Sequence, residues 1–503
     1  MKYLLNHKDL EMSDFRVAAV LLFVILNLAI FFIRLSSAQH NGALFLTTGG
    51  EAQMIYSVWK GIHHLQVYEW PLKYPFSISL YNYLFYDTYA AFLRLAGAAD
   101  ANIMTCGCLL TPAFAILGAI AQWKLVENYL QLRGARSGIS FLFALGLWFC
   151  TSATREWTVT IRPDLAAAAL VMVALWIVVW RPRFGFAYAG ACFYLAWSFK
   201  QSVVLAFVSV CLFLLFYKRW RDLSVLVSVF AVLIAATLFS GTPEYRFNIL
   251  VVPRLVEGWS TALAFANAAP FAVANLYWLA APVALLFAAN RRQIDDSVRL
   301  LTTVLIISLA AGLVAMTKAG ATYNYLFEAF VAGSTLLQIA VFTLPGQLVN
   351  SLVLFGCLLP TIQLATVPTG RYKHRFGTVR FANAAEYADA VSMRERLAPM
   401  KKPIFTTNPI FSLPWFSNDD RAPALVIEPH FYDATRSLHT DGGVEHMLQR
   451  GEIPTVMLLS TDIEYLNSLN SNYKKVAEAF ESDKLYSIYS INAHTPDIAQ
   501  HIK

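Results

Sequence analysis

Residues 155–164, Arg155-Glu156-Trp157-Thr158-Val159-Thr160-Ile161-Arg162-Pro163-Asp164, place two arginines and two acids between the apolar runs 138–152 and 165–180. Charged side chains are costly to hold at a membrane. Four of them within ten residues, with apolar sequence on both sides, mark a turn between two membrane-spanning helices where a polar site is organised. Each alone also fits a snorkelling anchor at the membrane boundary.

Working outward from that turn, the rest of the chain has the same texture. Hydrophobic residues make up 57% of the 503 and charged residues only 14%, against roughly 45–50% and about 25% in soluble domains. The mean hydropathy is +0.51. The chain therefore reads as a polytopic α-helical membrane protein with about eleven transmembrane helices, at 17–33, 103–121, 138–152, 165–180, 186–199, 203–217, 223–239, 270–289, 300–316, 325–342 and 348–364. Several runs are shorter than the ~20 residues a perpendicular crossing needs. The first lacks a small-residue cleavage site and leads into a long polar loop, as a retained anchor does.

Lysine and arginine set the orientation. With the N-terminus inside, the short cytoplasmic loops carry Lys124, Arg133 and Arg136, then Arg181 and Arg183, then Lys218, Arg219 and Arg221, then Arg291, Arg292 and Arg299. This is the positive-inside bias, and it accounts for much of the formal net charge of +7. The basic residues are not gathered on one soluble face, so no nucleic-acid partner is expected. The placement implied is a bacterial inner membrane, with the polar motifs on the extracytoplasmic side.

Two domains are expected. Residues 1–367 form the membrane unit, within which 35–102 is a long external loop. Met54, Ile55, Val58 and Trp59 recur at helical spacing after Glu51, with Gly61 as a stop, and Tyr81, Leu84, Phe85, Tyr89, Phe92 and Leu93 form a second stripe. Both are expected as interfacial helices lying along the membrane surface. Residues 368–503 have ordinary soluble composition. A helix at 384–397, apolar runs at 403–411 and 424–427, a Gly442-Gly443 turn and a run at 455–459 suggest a small extracytoplasmic α/β domain.

All six cysteines lie in apolar runs and read as small buried hydrophobes. Cys106-x-Cys108 is too short for a zinc knuckle, and His63-His64, His430, His439 and His446 have no ligand spacing. The cofactor is open: the sequence requires no metal.

Three further groups share the outer face. Thr47-Thr48-Gly49-Gly50-Glu51 offers a carboxylate that either closes a capping box with Thr48 or accepts a proton from a hydroxyl nucleophile. Lys200-Gln201 occupies a turn of few residues. Lys318-x-Gly320-x-x-x-Asn324-Tyr325-x-x-Glu328 places Glu328 about one turn inside a helix, where it should face a cavity and meet a cation or hydroxyl. Glu244, Arg246, Arg254 and Glu257 belong to a loop that reads as a lid or, more simply, as a solvated connection.

In order and sidedness these motifs resemble the GT-C superfamily of polytopic glycosyltransferases, particularly bacterial members related to protein O-mannosyltransferases and aminoarabinose transferases. The resemblance rests on the acid near the start of the first external loop, Tyr68…Lys73-Tyr74-Pro75, Arg162-Pro163-Asp164, Lys200-Gln201, Lys318…Asn324-Tyr325…Glu328 and the soluble C-terminal part. It implies that Glu51 is the general base or organises the acceptor. It also implies that Arg155, Arg162, Lys200 or Lys318 meets the donor phosphate, and that the reaction inverts the anomeric centre. Tyr74, Glu156, Asp164, Gln201, Asn324, Tyr325 and Glu328 would line the substrate cavity. Gly50-Glu51-Ala52 stands where the family often has an acid pair, which weakens the case for a metal there.

The donor class follows independently. The chain has no GxxxxGK[ST] loop and no Gly-rich strand-to-helix turn suited to a nucleotide. A site facing away from the cytoplasmic nucleotide pool needs a sugar, hexosyl or pentosyl, carried on a polyprenyl phosphate. The acceptor is a glycan, a lipid or a protein. A multi-pass transporter or flippase is the alternative, and an envelope scaffold a third reading. Transporters, however, tend to place ionisable groups near mid-membrane and to show inverted repeats, whereas these motifs gather at one face.

Overall fold

The computed structural model describes residues 12–491 apart from 48–49, 181, 256–259, 289–294, 319–321, 345–346, 367–380, 418–431, 434 and 482–483. Thr48, Gly49, Arg181, Glu257, Arg291, Arg292, Gly320, His430, the run 424–427 and the expected domain junction at 367/368 thus lie outside the described residues.

Each of the eleven apolar runs falls on helix. Among the described residues, six helices are long and apolar enough to cross a membrane: Asp14–Asn41, Asp100–Leu130, Trp220–Ser240, Asp296–Ala315, Tyr323–Thr343 and Gln347–Ala365. The pair Ala264–Ala274 and Leu276–Leu285, bent by 78°, is a seventh if it forms one broken span instead of a re-entrant loop. Length and composition therefore do not establish eleven crossings. The other four runs are the helices Gly134–Trp148, Asp164–Trp180, Gly185–Phe199 and Leu205–Phe216, of 15, 17, 15 and 12 residues, all below the ~20 of a perpendicular crossing.

The bundle is organised around Phe327–Thr343. In an apolar 18-residue stretch of Tyr323–Thr343, 94% of the residues are buried, whereas in Trp220–Ser240 the share is 11% and that helix lies at the periphery with its apolar side chains turned outward. Small residues let neighbours approach the central helix. A Cβ on Gly333 would stand 2.3 Å from the Trp278 ring. Buried amides join it to its neighbours: Gln122 Nε2 donates to Gln338 Oε1 at 2.8 Å, and Gln338 Nε2 donates to the Ser140 carbonyl at 2.7 Å.

The two ends of this helix differ in charge. Arg16 Nη1 donates to the carbonyls of Val341 and Leu344 at 3.0 and 2.8 Å, and Arg136 Nη2 to that of Phe342 at 3.2 Å. Cations favour the carbonyl end of a helix. The acid Glu328 sits at the other end.

The first loop departs from expectation. Its helices, Glu51–Ile62 and Tyr83–Leu95, form where the stripes indicated, but every residue from Glu51 to Lys60 is buried, so the first is not interfacial. Its polar positions are covered by the rest of the loop. Ser57 shares a hydrogen bond with Ser79 at 2.9 Å, and Lys60 Nζ donates to the Val67 carbonyl at 2.8 Å, Glu69 at 3.2 Å and Ser77 Oγ at 2.9 Å. The 244–255 connection is also no plain solvated loop: Tyr245 is buried and donates to Asn82 Oδ1 at 2.7 Å.

In the C-terminal part, Asn383 and Glu386 close a capping box at the start of Ala384–Leu397. Strands β1 (Ile404–Thr406), β2 (Thr455–Leu459), β3 (Tyr473–Glu481) and β4 (Lys484–Ile491) make one sheet in the order β1-β2-β4-β3, with β1 and β2 parallel and the other pairs antiparallel. The backbone N–H of Ala382 donates to Asn41 Oδ1 at 2.9 Å, which sets this part against the end of the first helix.

Candidate active site

Between the helices Gly134–Trp148 and Asp164–Trp180 the chain makes an irregular turn in which threonine hydroxyls bond several of the backbone carbonyls. Thr154, Thr158 and Thr160 donate to the carbonyls of Cys150, Arg155 and Glu156 at 2.8, 2.9 and 2.8 Å. Arg155 is held at φ +43, a left-handed conformation rare for a residue with a side chain.

Asp164, first residue of its helix, is the focus. Its Oδ1 accepts from Lys200 Nζ at 2.5 Å and from Asn324 Nδ2 at 2.9 Å, and its Oδ2 lies 3.4 Å from Arg162 Nε. Burial alone would lower the Lys200 ammonium's pKa; Asp164 beside it outweighs this and holds it above the ordinary lysine value. The Lys200 and Asp164 side chains are 5% and 1% exposed. Desolvating such charges costs several kcal/mol per ion, so bulk stability is a poor reason for gathering them. Arg162 Nη2 also donates to the Tyr81 hydroxyl at 2.9 Å and its guanidinium lies 4.4 Å from the Trp157 ring.

Glu51 joins the same turn from the other side. Its Oε1 accepts from the backbone N–H of Ile161 at 3.0 Å, and its Oε2 from Thr47 N and Oγ1 at 2.7 and 2.5 Å. Glu51 is the first residue of its helix, preceded by Gly50 at φ +74. The capping-box reading pairs Glu51 with Thr48, which lies outside the described residues.

The remaining sequence candidates divide. Glu156 accepts from the Tyr323 hydroxyl, and the Arg155 guanidinium lies over the Tyr323 ring at 4.3 Å. Lys200 lies 5.1 Å over the ring of Tyr325. Gln201 Nε2 donates to the Leu80 carbonyl at 2.6 Å. Glu328 was expected to meet a cation or hydroxyl. Its carboxylate instead accepts from the backbone N–H groups of Leu205 and Ala206 at 3.2 and 2.7 Å, because a helix start offers unsatisfied amides and a positive dipole end. Asp164, Lys200, Ser202, Asn324, Tyr325 and Glu328 line a common pocket.

Two candidates fall outside this cluster. Lys318 donates to the Pro253 carbonyl, and Tyr74 is exposed. Sequence reasoning missed Tyr81, Tyr323 and Ser202. It also missed Arg34, 1% exposed, which donates to Thr151 from within the first apolar helix. The signal for Arg34 was a cation one residue past an apolar run. Among the described residues no three His, Cys, Asp or Glu side chains come together in a way that could hold a metal ion.

The arrangement of helices is similar to that of several solved structures. The chain is similar to ArnT from Cupriavidus metallidurans bound to undecaprenyl phosphate, with a TM-score of 0.60 at 13% identity over 95% of this chain and 98% of that one. The apo form of the same protein gives 0.61 at 13% identity over 94% and 97%. The archaeal oligosaccharyltransferase AglB from Archaeoglobus fulgidus, in complex with an inhibitory peptide and a dolichol-phosphate, gives 0.50 at 11% identity over 89% and 69%. No protein-family model and no curated protein matches the chain by sequence.

Proposed function

We propose that this chain is a glycosyltransferase that moves a sugar from a polyprenyl-phosphate-linked donor to an acceptor hydroxyl on the extracytoplasmic face of a bacterial inner membrane. One observation carries the reading. The turn Ile161–Asp164 holds Glu51 at one end, through the Ile161 amide at 3.0 Å, and the Lys200–Asp164–Arg162 cluster at the other. An acid and two cations are thereby fixed relative to each other in a fold whose similar structures include proteins bound to undecaprenyl phosphate and dolichol-phosphate.

In this reading the acceptor oxygen attacks C1 as the bond from C1 to the phosphate oxygen breaks, and the anomeric centre inverts. The acceptor proton passes to Glu51. Lys200 and Arg162 stabilise the charge gathering on the departing phosphate. Asp164 takes one of the three N–H donors of Lys200, and the others remain available to an oxyanion. Asn324 and Asp164 keep the cations in place. A transporter or flippase has no comparable support, since Asp164, Glu51 and Glu328 all sit at helix starts and none lies at the middle of a crossing. The test is transfer of labelled sugar from a polyprenyl-phosphate donor by the purified protein in detergent.

A further inference from the structure

We infer that the C-terminal domain positions the candidate site through a strap, residues 76–82, whose anchor is Phe76. Although Phe76 belongs to the first loop, its 3%-exposed ring lies in the small core formed with Phe405, Tyr432, Val444 and Leu448 of the C-terminal domain. It meets Tyr432 edge-on at 5.6 Å and 69°, and His439 at 5.0 Å and 84°. The two receiving rings stack on each other at 4.8 Å. Phe76 is held at φ +61. A bulky residue keeps such a conformation only where its surroundings over-determine it, and here they lie in a domain more than 320 residues away in the chain.

From this anchor the strap runs to the cations, fixed at almost every residue. Ser77 Oγ accepts from Lys60 at 2.9 Å, and the Ser79 amide donates to Asn248 Oδ1 at 2.9 Å. The Leu80 carbonyl accepts from Gln201, the neighbour of Lys200, at 2.6 Å, and the Tyr81 hydroxyl accepts from Arg162 at 2.9 Å. Asn82 Nδ2 closes the strap on the Trp197 carbonyl at 2.6 Å. Phe76 therefore lies five residues from a group that orients Arg162, and it acts through that group as a positioning residue. A ligand or partner that shifts Tyr432 or His439 reaches the site by this route.

The functional part of this inference rests on reading Arg162 and Lys200 as donor-phosphate cations; the mechanical part does not. Hydrogen–deuterium exchange on the full chain in detergent, paired with donor-dependent kinetics, separates the two. In Phe76→Ala the amides of 77–82 should exchange at least about tenfold faster while the central helix Phe327–Thr343 is unchanged. The donor KM should rise about tenfold with kcat within about twofold. Phe76→Leu, which keeps a large apolar side chain, should restore most of both and carries the test if the alanine variant does not fold. Tyr81→Phe should raise the donor KM without altering exchange. Unchanged exchange across 77–82 in a folded Phe76→Ala protein overturns the strap, and faster exchange with a parent-like KM overturns its link to the site. A parent protein that transfers no sugar counts against the transferase reading alone, because the exchange data still decide whether the strap is anchored.

Discussion

Asn324 donates to Asp164 Oδ1 at 2.9 Å across 160 residues of sequence, while its neighbour Tyr323 donates to Glu156 at the other end of the same turn. One short segment before the central helix thus fixes both acids of the stretch 155–164. Lys200 approaches Asp164 from a third segment at 2.5 Å, so the site is a junction of three helix ends.

The cations give the first prediction. Neutralising Lys200 or Arg162, as Lys200→Met or Arg162→Gln, should weaken donor use by ~1.5–3 kcal/mol, the scale of a charged hydrogen bond. Lys318→Met, at a residue held by Pro253, should leave donor dependence as in the parent. Steady-state kinetics at varied donor concentration reads all three. Equal losses in all three variants, or none in any, would contradict this placement.

Glu328 yields an outcome that distinguishes a cap from a catalyst. Glu328→Gln keeps the shape and one of the two acceptor oxygens that bind the amides of Leu205 and Ala206 and should retain turnover within a few-fold. Glu328→Ala should lose ~1–3 kcal/mol of stability as buried amides go unsatisfied. Thermal unfolding in detergent, set beside turnover, measures both. A hundredfold loss in a well-folded glutamine variant would make Glu328 part of the chemistry.

A third expectation concerns pH. Burial, partly offset by Glu69, lowers Lys60 from 10.5 to about 8. Between about 8 and 10.5 the unfolded chain binds a proton that the fold disfavours, so this group's contribution to stability rises with pH through that window and is flat below it. Melting temperature of the parent minus that of Lys60→Met should therefore increase from pH 8 to pH 10. A constant difference would show that Lys60 is not desolvated as described.

Sidedness is tested by labelling. In a background without the six native cysteines, a cysteine at exposed Arg450 or Ile463 should react with an impermeant reagent on intact cells, and one at Arg133, near the opposite end of the bundle, should not. The reverse pattern would turn the site toward the cytoplasm and remove the argument for a lipid-borne donor.

What the sequence reveals here depends on how far away the deciding partner lies. Apolar runs declare themselves locally, and all eleven are helical. Their lengths mislead where a helix is short, as with the 12 residues of Leu205–Phe216. The helix Glu51–Ile62 was legible as amphipathic, but amphipathicity says only that one face is polar. That Ser57 and Lys60 are covered by Ser77 and Ser79 depends on a chain reversal that carries no period. Asp164 and Lys200 were readable because charge is scarce in this chain, and neutral Asn324 because it lies between Lys318 and Glu328. Lys318, equally conspicuous, faces a backbone carbonyl. Tyr81 looked like one more aromatic in a helical stripe, yet the helix begins at Tyr83 and leaves its hydroxyl to Arg162.

Glu51→Gln is the most direct test, because the proposed chemistry needs Glu51 to take a proton, while glutamine keeps the shape and one of the two acceptor oxygens that bind the Ile161 and Thr47 amides. With purified protein, a labelled polyprenyl-phosphate sugar and a competent acceptor, the parent should transfer sugar. The glutamine variant, folded and binding donor like the parent, should be slower by ~10²-fold or more, the scale of general-base catalysis. Turnover within a few-fold of the parent would contradict Glu51 as the base.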